Sequence, residues 1–170
     1  MNIPKQRVQY SGNFDWDALY KFIVNWYHDR DFEFKEKQYK VKPSGSEIEV
    51  SMEGNREESS YVRFKVAVYM HLWDIQDVEV IEDGNKKKLT KARILIDFDA
   101  NVELDWQGEY EKTKFLQKLR SFFNQFLFSE TKDAGFYWDK LFYHTLNLQT
   151  AVKEQLDLYG KYSAYKQTTY

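Results

Sequence analysis

Between residues 46 and 106 apolar and polar side chains alternate, the period of β-strands with one dry face. In 46–53 the apolar set is Ile48, Val50 and Met52, opposed by Glu47, Glu49 and Glu53, with Gly54-Asn55 closing the strand. In 60–73, Val62, Phe64, Val66, Val68, Met70 and Leu72 share one parity, while Arg63, Lys65, Tyr69, His71 and Trp73 share the other. Residues 77–82, carrying Val78 and Val80, read as a further short strand, and 82–86 as a hairpin turn into 88–106. There Ile94, Ile96, Phe98, Ala100, Val102, Leu104 and Trp106 face one way, and Arg93, Asp97, Asp99, Asn101, Glu103 and Asp105 the other. Upstream, 5–10 alternates weakly. Phe32-Glu33-Phe34 resumes at Tyr39 and Val41 with opposite parity, a change that a β-bulge between 35 and 38 reconciles.

Elsewhere the period is helical. Trp16, Leu19, Tyr20, Ile23, Trp26 and Tyr27 form one stripe, predicting a helix over 15–29 with Asn13 or Asp15 as N-cap and Asp29-Arg30-Asp31 as its end. A second helix is predicted over 113–128, where Phe115, Leu116, Leu119, Phe122, Phe123, Phe126 and Leu127 make a face broad enough to cover the sheet. A third, over 136–158, carries Trp138, Leu141, Phe142, Leu148, Val152 and Leu156. Its face drifts, which predicts an interruption near Thr145 to Asn147. Residues 160–170 read as a flexible, Tyr-rich tail. The fold class is α+β: a two-layer arrangement in which an antiparallel meander of about five or six strands packs on helices 15–29, 113–128 and 136–158. If the meander curls around 113–128, the element order over 5–128 resembles the helix-grip shape of START-like domains.

Composition narrows what such a domain does. At 170 residues the chain is one domain, and 7 Gly with 2 Pro, about 5% against an average near 12%, mean few turns and long elements. Its 31 aromatic residues are enough to build a core or to line a pocket. A net charge of −2 removes the whole-chain case for nucleic-acid binding, and Lys86-Lys87-Lys88 lacks the interleaved aromatics of a strand-binding patch. Charge is uneven: residues 1–42 carry +2, 43–111 carry −8 and 112–170 carry +4. The absence of cysteine excludes disulfides and thiolate chemistry. No apolar run approaches the roughly 20 residues of a membrane span, and without an apolar run after Lys5 a cytosolic protein is expected.

Candidate chemistry is sparse. The three histidines, His28, His71 and His144, lack partners at metal-binding or triad spacing, and no phosphate loop or nucleophile elbow is present. Asp97, Asp99, Glu103 and Asp105 share a strand face and have oxygen-ligand chemistry. Residues two apart on a strand sit roughly 6.5–7 Å from each other, however, so a solvated face paired with Arg63, Lys65, Lys35 and Lys37 is expected instead. Neutralising Asp97 and Asp99 together is then expected to leave stability unchanged or slightly raised. No cofactor or metal is expected. The function expected is a non-catalytic binding domain that holds a small apolar ligand in an aromatic-lined cavity between sheet and helix. Tyr69, His71 and Trp73 are the candidate ligand-binding residues. One alternative is a structural or interaction module, self-associating or docking on a protein partner through 136–158, with Trp138 and Phe142 as anchors. On that reading a chain cut after Glu130 still folds. A second alternative is a metal-dependent hydrolase using Asp97, Asp99 and His71.

Overall fold

A computed structural model describes residues 1–82, 85–122 and 132–164. Its sheet has five antiparallel strands in the order β1-β5-β4-β3-β2: β1 Gln6–Phe14, β2 Glu33–Val41, β3 Ile48–Glu57, β4 Val62–Glu82 and β5 Asn85–Leu104. The helices are α1 (Trp16–His28), α2 (Lys114–Phe122) and α3 (Lys132–Ala164), with a short 3-10 turn at Glu109–Glu111 before α2. This is the expected α+β arrangement, in which the last strand of the meander pairs with the first strand of the chain.

Register follows from the alternation. Val66↔Ala100, Val68↔Phe98 and Met70↔Ile96 are cross-strand partners, and all six side chains are buried. Slipping the pairing by one residue would turn Arg63, Lys65 and Asp97 into the core, so the pattern admits one register. The strands read as 60–73 and 77–82 are one element, β4, with a register shift between Trp73 and Gln76. Asp74 takes a left-handed conformation there (φ 56°), which a short polar side chain tolerates, and pairing resumes beyond it. In β2 the predicted bulge falls between Glu36 and Gln38. It lets Phe34 and Tyr39 both face α1.

Asp15 is the N-cap of α1 and accepts from the Ala18 amide at 3.0 Å. At the other end Asp31 is left-handed (φ 56°), with Asp31 N–H donating to His28 O at 3.1 Å and Phe32 N–H to Tyr27 O at 3.0 Å. This Schellman closure folds Phe32 back onto Trp26 and Tyr27.

The cover on the sheet differs from the expectation. α3 packs against β1 and β5 and buries Leu141, Leu148, Val152 and Leu156, while α1 packs beside it and against β2. None of the residues described for α2 belongs to the core: Phe115 is 74% exposed and Phe122 53%. Residues 123–128 of that predicted helix lie outside the described residues. The physical reason is that the sheet's inner face is already filled by two longer helices, so nine residues with four apolar positions have no room to add. α3 also runs without interruption. Thr145, buried, satisfies its hydroxyl on Leu141 O and Phe142 O inside the helix. The helix continues through 160–164, the part of the Tyr-rich tail that is described. Residues 1–3 add to β5 as well: Ile3 N–H donates to Ala100 O, and Val102 N–H to Met1 O, both at 2.9 Å.

Candidate functional site

α1 and α3 lie on the same face of the sheet, so the outward parity of all five strands makes up the opposite face. Here Tyr69, His71 and Trp73 are neighbours on β4, beside Arg93, Leu95 and Asp97 of β5 and Glu49 and Ser51 of β3. The His71 and Trp73 rings stack at 3.8 Å with 27° between their planes. That is closer than the ordinary two-residue spacing on a strand, and the irregularity that begins at Trp73 accompanies it. Both nitrogens of His71 are engaged: Nδ1 lies 3.4 Å from the Tyr69 hydroxyl, and Nε2 lies 3.3 Å from Glu47 Oε2 and 3.8 Å from Glu49 Oε1. Lys42 pairs with the same Glu47 and, together with His71, holds its carboxyl below the usual range. Burial first, then the Glu49 and Asp97 charges, push the Tyr69 phenol up. With a carboxylate on one ring nitrogen and a phenol on the other, the His71 ring is held in a fixed orientation beside Trp73.

The acids expected on a solvated face divide. Asp97 is buried (6% exposed) beneath Lys5 and Arg7, with Arg7 Nε and Nη2 donating to its two oxygens at 2.6 and 2.9 Å. The Arg7 hydrogen bonds, with Lys5 adding, keep the Asp97 carboxyl below its ordinary value against the opposing effect of burial. Asp105 leaves the strand at φ 54°, is buried, and accepts from the Tyr110 amide at 3.3 Å. Glu103 pairs with Arg63 as expected, whereas Lys65 and Lys37 both turn to Glu53. Among the described residues no group of three or more histidines and acids is placed to hold a metal ion.

The space between the sheet and its helices is packed with Phe14, Trp26, Tyr27, Phe32, Phe64 and Phe98, all buried. The largely apolar cleft opens on the other face. It measures about 530 Å³, and Gln9, Ser11, Trp73, Arg93 and Leu95 line it, with Tyr10 and Ile94 in its wall. Trp73 and Leu95 take no part in the core. Arg93 is tied to Asp74 at 2.7 Å. A smaller cleft, about 210 Å³, sits beside Tyr69 and Asp97. A polar one, about 690 Å³, lies where β3 meets α3, with Arg56 and Lys140 both paired to Glu58 and with His144 alongside. Burial, then the Arg56, Arg30 and Lys140 charges, hold the His144 imidazole below its usual value.

Of the predicted interface pair, Trp138 stacks on Phe142 at 5.2 Å, and its indole N–H donates to Asn2 O at 3.2 Å. Both are half-buried against the chain's own core. Among the described side chains of α3, the exposed aromatics are Phe136 and Tyr143, two turns apart and each 59% exposed. Neither was singled out from the sequence as an exposed position, because a stripe of mixed aromatic residues does not reveal which side the sheet will take.

The fold and these clefts define a class: an α+β domain with helices on one face of an antiparallel sheet and a partly apolar cleft on the other. No protein-family profile matches the chain, and no curated protein matches it in sequence. No helix among the described residues is long and apolar enough to cross a membrane.

Proposed function

We propose that this protein is a non-catalytic binding domain that takes a small molecule with an apolar body in the cleft at Trp73 and Leu95. The observation that carries the reading is that two large apolar side chains stand outside the core on the sheet face opposite the helices, at a cleft of about 530 Å³. That size falls within the range of small-molecule sites. Trp73 supplies a flat surface braced from one side by His71. Gln9, Ser11 and Arg93 supply the few polar groups that orient a ligand. The placement departs from an interior cavity for a packing reason: the aromatic excess goes into filling the layer between sheet and helices.

The test is a fluorescence titration with the apolar probe 1-anilinonaphthalene-8-sulfonate, alongside native mass spectrometry of the purified protein. The native protein is expected to bind the probe saturably at one site. Trp73→Ala is expected to bind about tenfold more weakly or worse, from the loss of an aromatic contact worth roughly 1.5–3 kcal/mol when fully buried. Equal probe binding by Trp73→Ala would refute the site. A second reading, a protein-interaction surface on α3, draws on exposed Phe136 and Tyr143. A sedimentation coefficient independent of concentration would remove its self-association form.

A further inference from the structure

We propose that α2 seats the protein on an anionic lipid surface, lying in the plane of the headgroups. The inference is independent of the ligand cleft. Residues 112–122 carry Lys112, Lys114, Lys118 and Arg120 and no acid, in a chain whose preceding segment, 43–111, carries −8; Lys112 pairs with Glu109 of the preceding turn at 3.4 Å, which leaves the lysines of the helix itself to set its charge. On the helix, Phe115, Leu119 and Phe122 fall at i, i+4 and i+7 and form one apolar stripe. Phe115 is 74% exposed and Phe122 53%, and neither belongs to the core. At 3.6 residues per turn, Lys118 and Lys114 border one side of that stripe. Thr113 Oγ1 caps the helix by accepting from the Leu116 amide at 3.2 Å, so the stripe is presented on a formed helix.

The order of apolar centre and basic border selects the occupant. Nucleic acid would be met by cations at the centre of the surface, with aromatics stacking on bases. An apolar protein groove would not call for lysines along the edge of the stripe. A bilayer with anionic headgroups takes the rings into the acyl boundary while the lysines reach back to the phosphates. Nine residues rise only about 14 Å, so the helix lies on the membrane and does not cross it. The acidic sheet segment is repelled by the same surface, which favours the helix as the contact.

The experiment is co-sedimentation of the full chain with vesicles of phosphatidylcholine alone and of phosphatidylcholine containing phosphatidylserine. The protein is expected to pellet with the second kind only, and to be released by high salt. Phe115→Ser is expected to weaken binding about tenfold or more. Lys114→Gln with Lys118→Gln is expected to weaken it about 30-fold at low salt. Both variants should keep the native thermal midpoint, because α2 lies outside the core. Failure to pellet with phosphatidylserine vesicles, or pelleting unchanged in both variants, would overturn the proposal. So would a change from dimer to monomer caused by Phe115→Ser, which would assign the stripe to a second copy of the chain.

Discussion

Replacing Gly54 by alanine adds a single methyl group at a place where the fold leaves none to spare. Gly54 lies in β3 opposite Phe34 and Val66. A Cβ built there would sit 2.4 Å from Cδ1 and 2.6 Å from Cε1 of Tyr27, and 3.1 Å from Cβ of Phe32. Ordinary carbon contacts begin near 3.5 Å, so the Tyr27 ring would have to retreat by about 1 Å. It has little freedom to do so. Tyr27 is wholly buried, its ring meets Trp26, Phe32 and Phe34 at centroid distances of 5.3, 5.9 and 5.4 Å, and its hydroxyl donates to Val66 O at 3.3 Å. Overpacking of this kind costs about 1–3 kcal/mol, and here the enclosing aromatic rings place it at the upper end. Alanine restricts the unfolded chain more than glycine does, which offsets about 0.4–1 kcal/mol. The net is about 2 kcal/mol of destabilisation, or roughly 4–8 °C in Tm for a chain of this size. Urea and thermal unfolding followed by circular dichroism measure it. Combining Gly54→Ala with Tyr27→Leu should cost less than the sum of the two, since the smaller side chain makes room for the methyl. A Gly54→Ala protein as stable as the native one would show that Tyr27 does not rest on this strand.

Two further outcomes follow from the same packing. Asp97→Asn should lower the urea midpoint at neutral pH, because the carboxylate is buried under Arg7 and Lys5. Its folded pKa is depressed, so its contribution is full above the unfolded value of about 3.9 and is lost as pH falls through the lower folded value. The difference between variant and native protein should therefore shrink on acidification, and equal midpoints at neutral pH would contradict the burial. Truncation after Glu130 should abolish cooperative unfolding, since it removes Leu141, Leu148, Val152 and Leu156 from the core. A folded, monomeric fragment would mean that α3 is dispensable to the sheet.

What could be read from the chain was whatever depends on neighbours in sequence. Alternation from Val62 to Leu72 and from Ile94 to Val102 identifies the buried face of each strand, since side chains two apart must share a side and a one-residue slip would bury charge. The opposed parities of Phe34 and Tyr39 require a bulge for both to face α1, and the Asp15 cap needs only the next turn of helix. Asp74 was missed because its left-handed turn inside β4 looks, in sequence, like the end of one strand and the start of another.

Tertiary structure alone decided what covers what. The predicted helices 113–128 and 136–158 presented comparable apolar faces, and which described residues reach the sheet, Leu141, Leu148, Val152 and Leu156 but not Phe115 or Phe122, depends on contacts distant in sequence. Gly54 read as a terminator because its role depends on Tyr27, 27 residues earlier. Asp97 read as solvated because the two cations that bury it, Lys5 and Arg7, stand at the start of the chain and reach it only through the pairing of β1 with β5, 90 residues away in sequence for Arg7. Tyr69, His71 and Trp73 follow from the period of two, whereas the cleft beside them needs Gln9 and Leu95 brought alongside by pairing between the first and last strands. Sequence determined the faces of this protein, because a face is a matter of local period. The fold determined their partners, because burial is settled only when distant segments compete for the same surface.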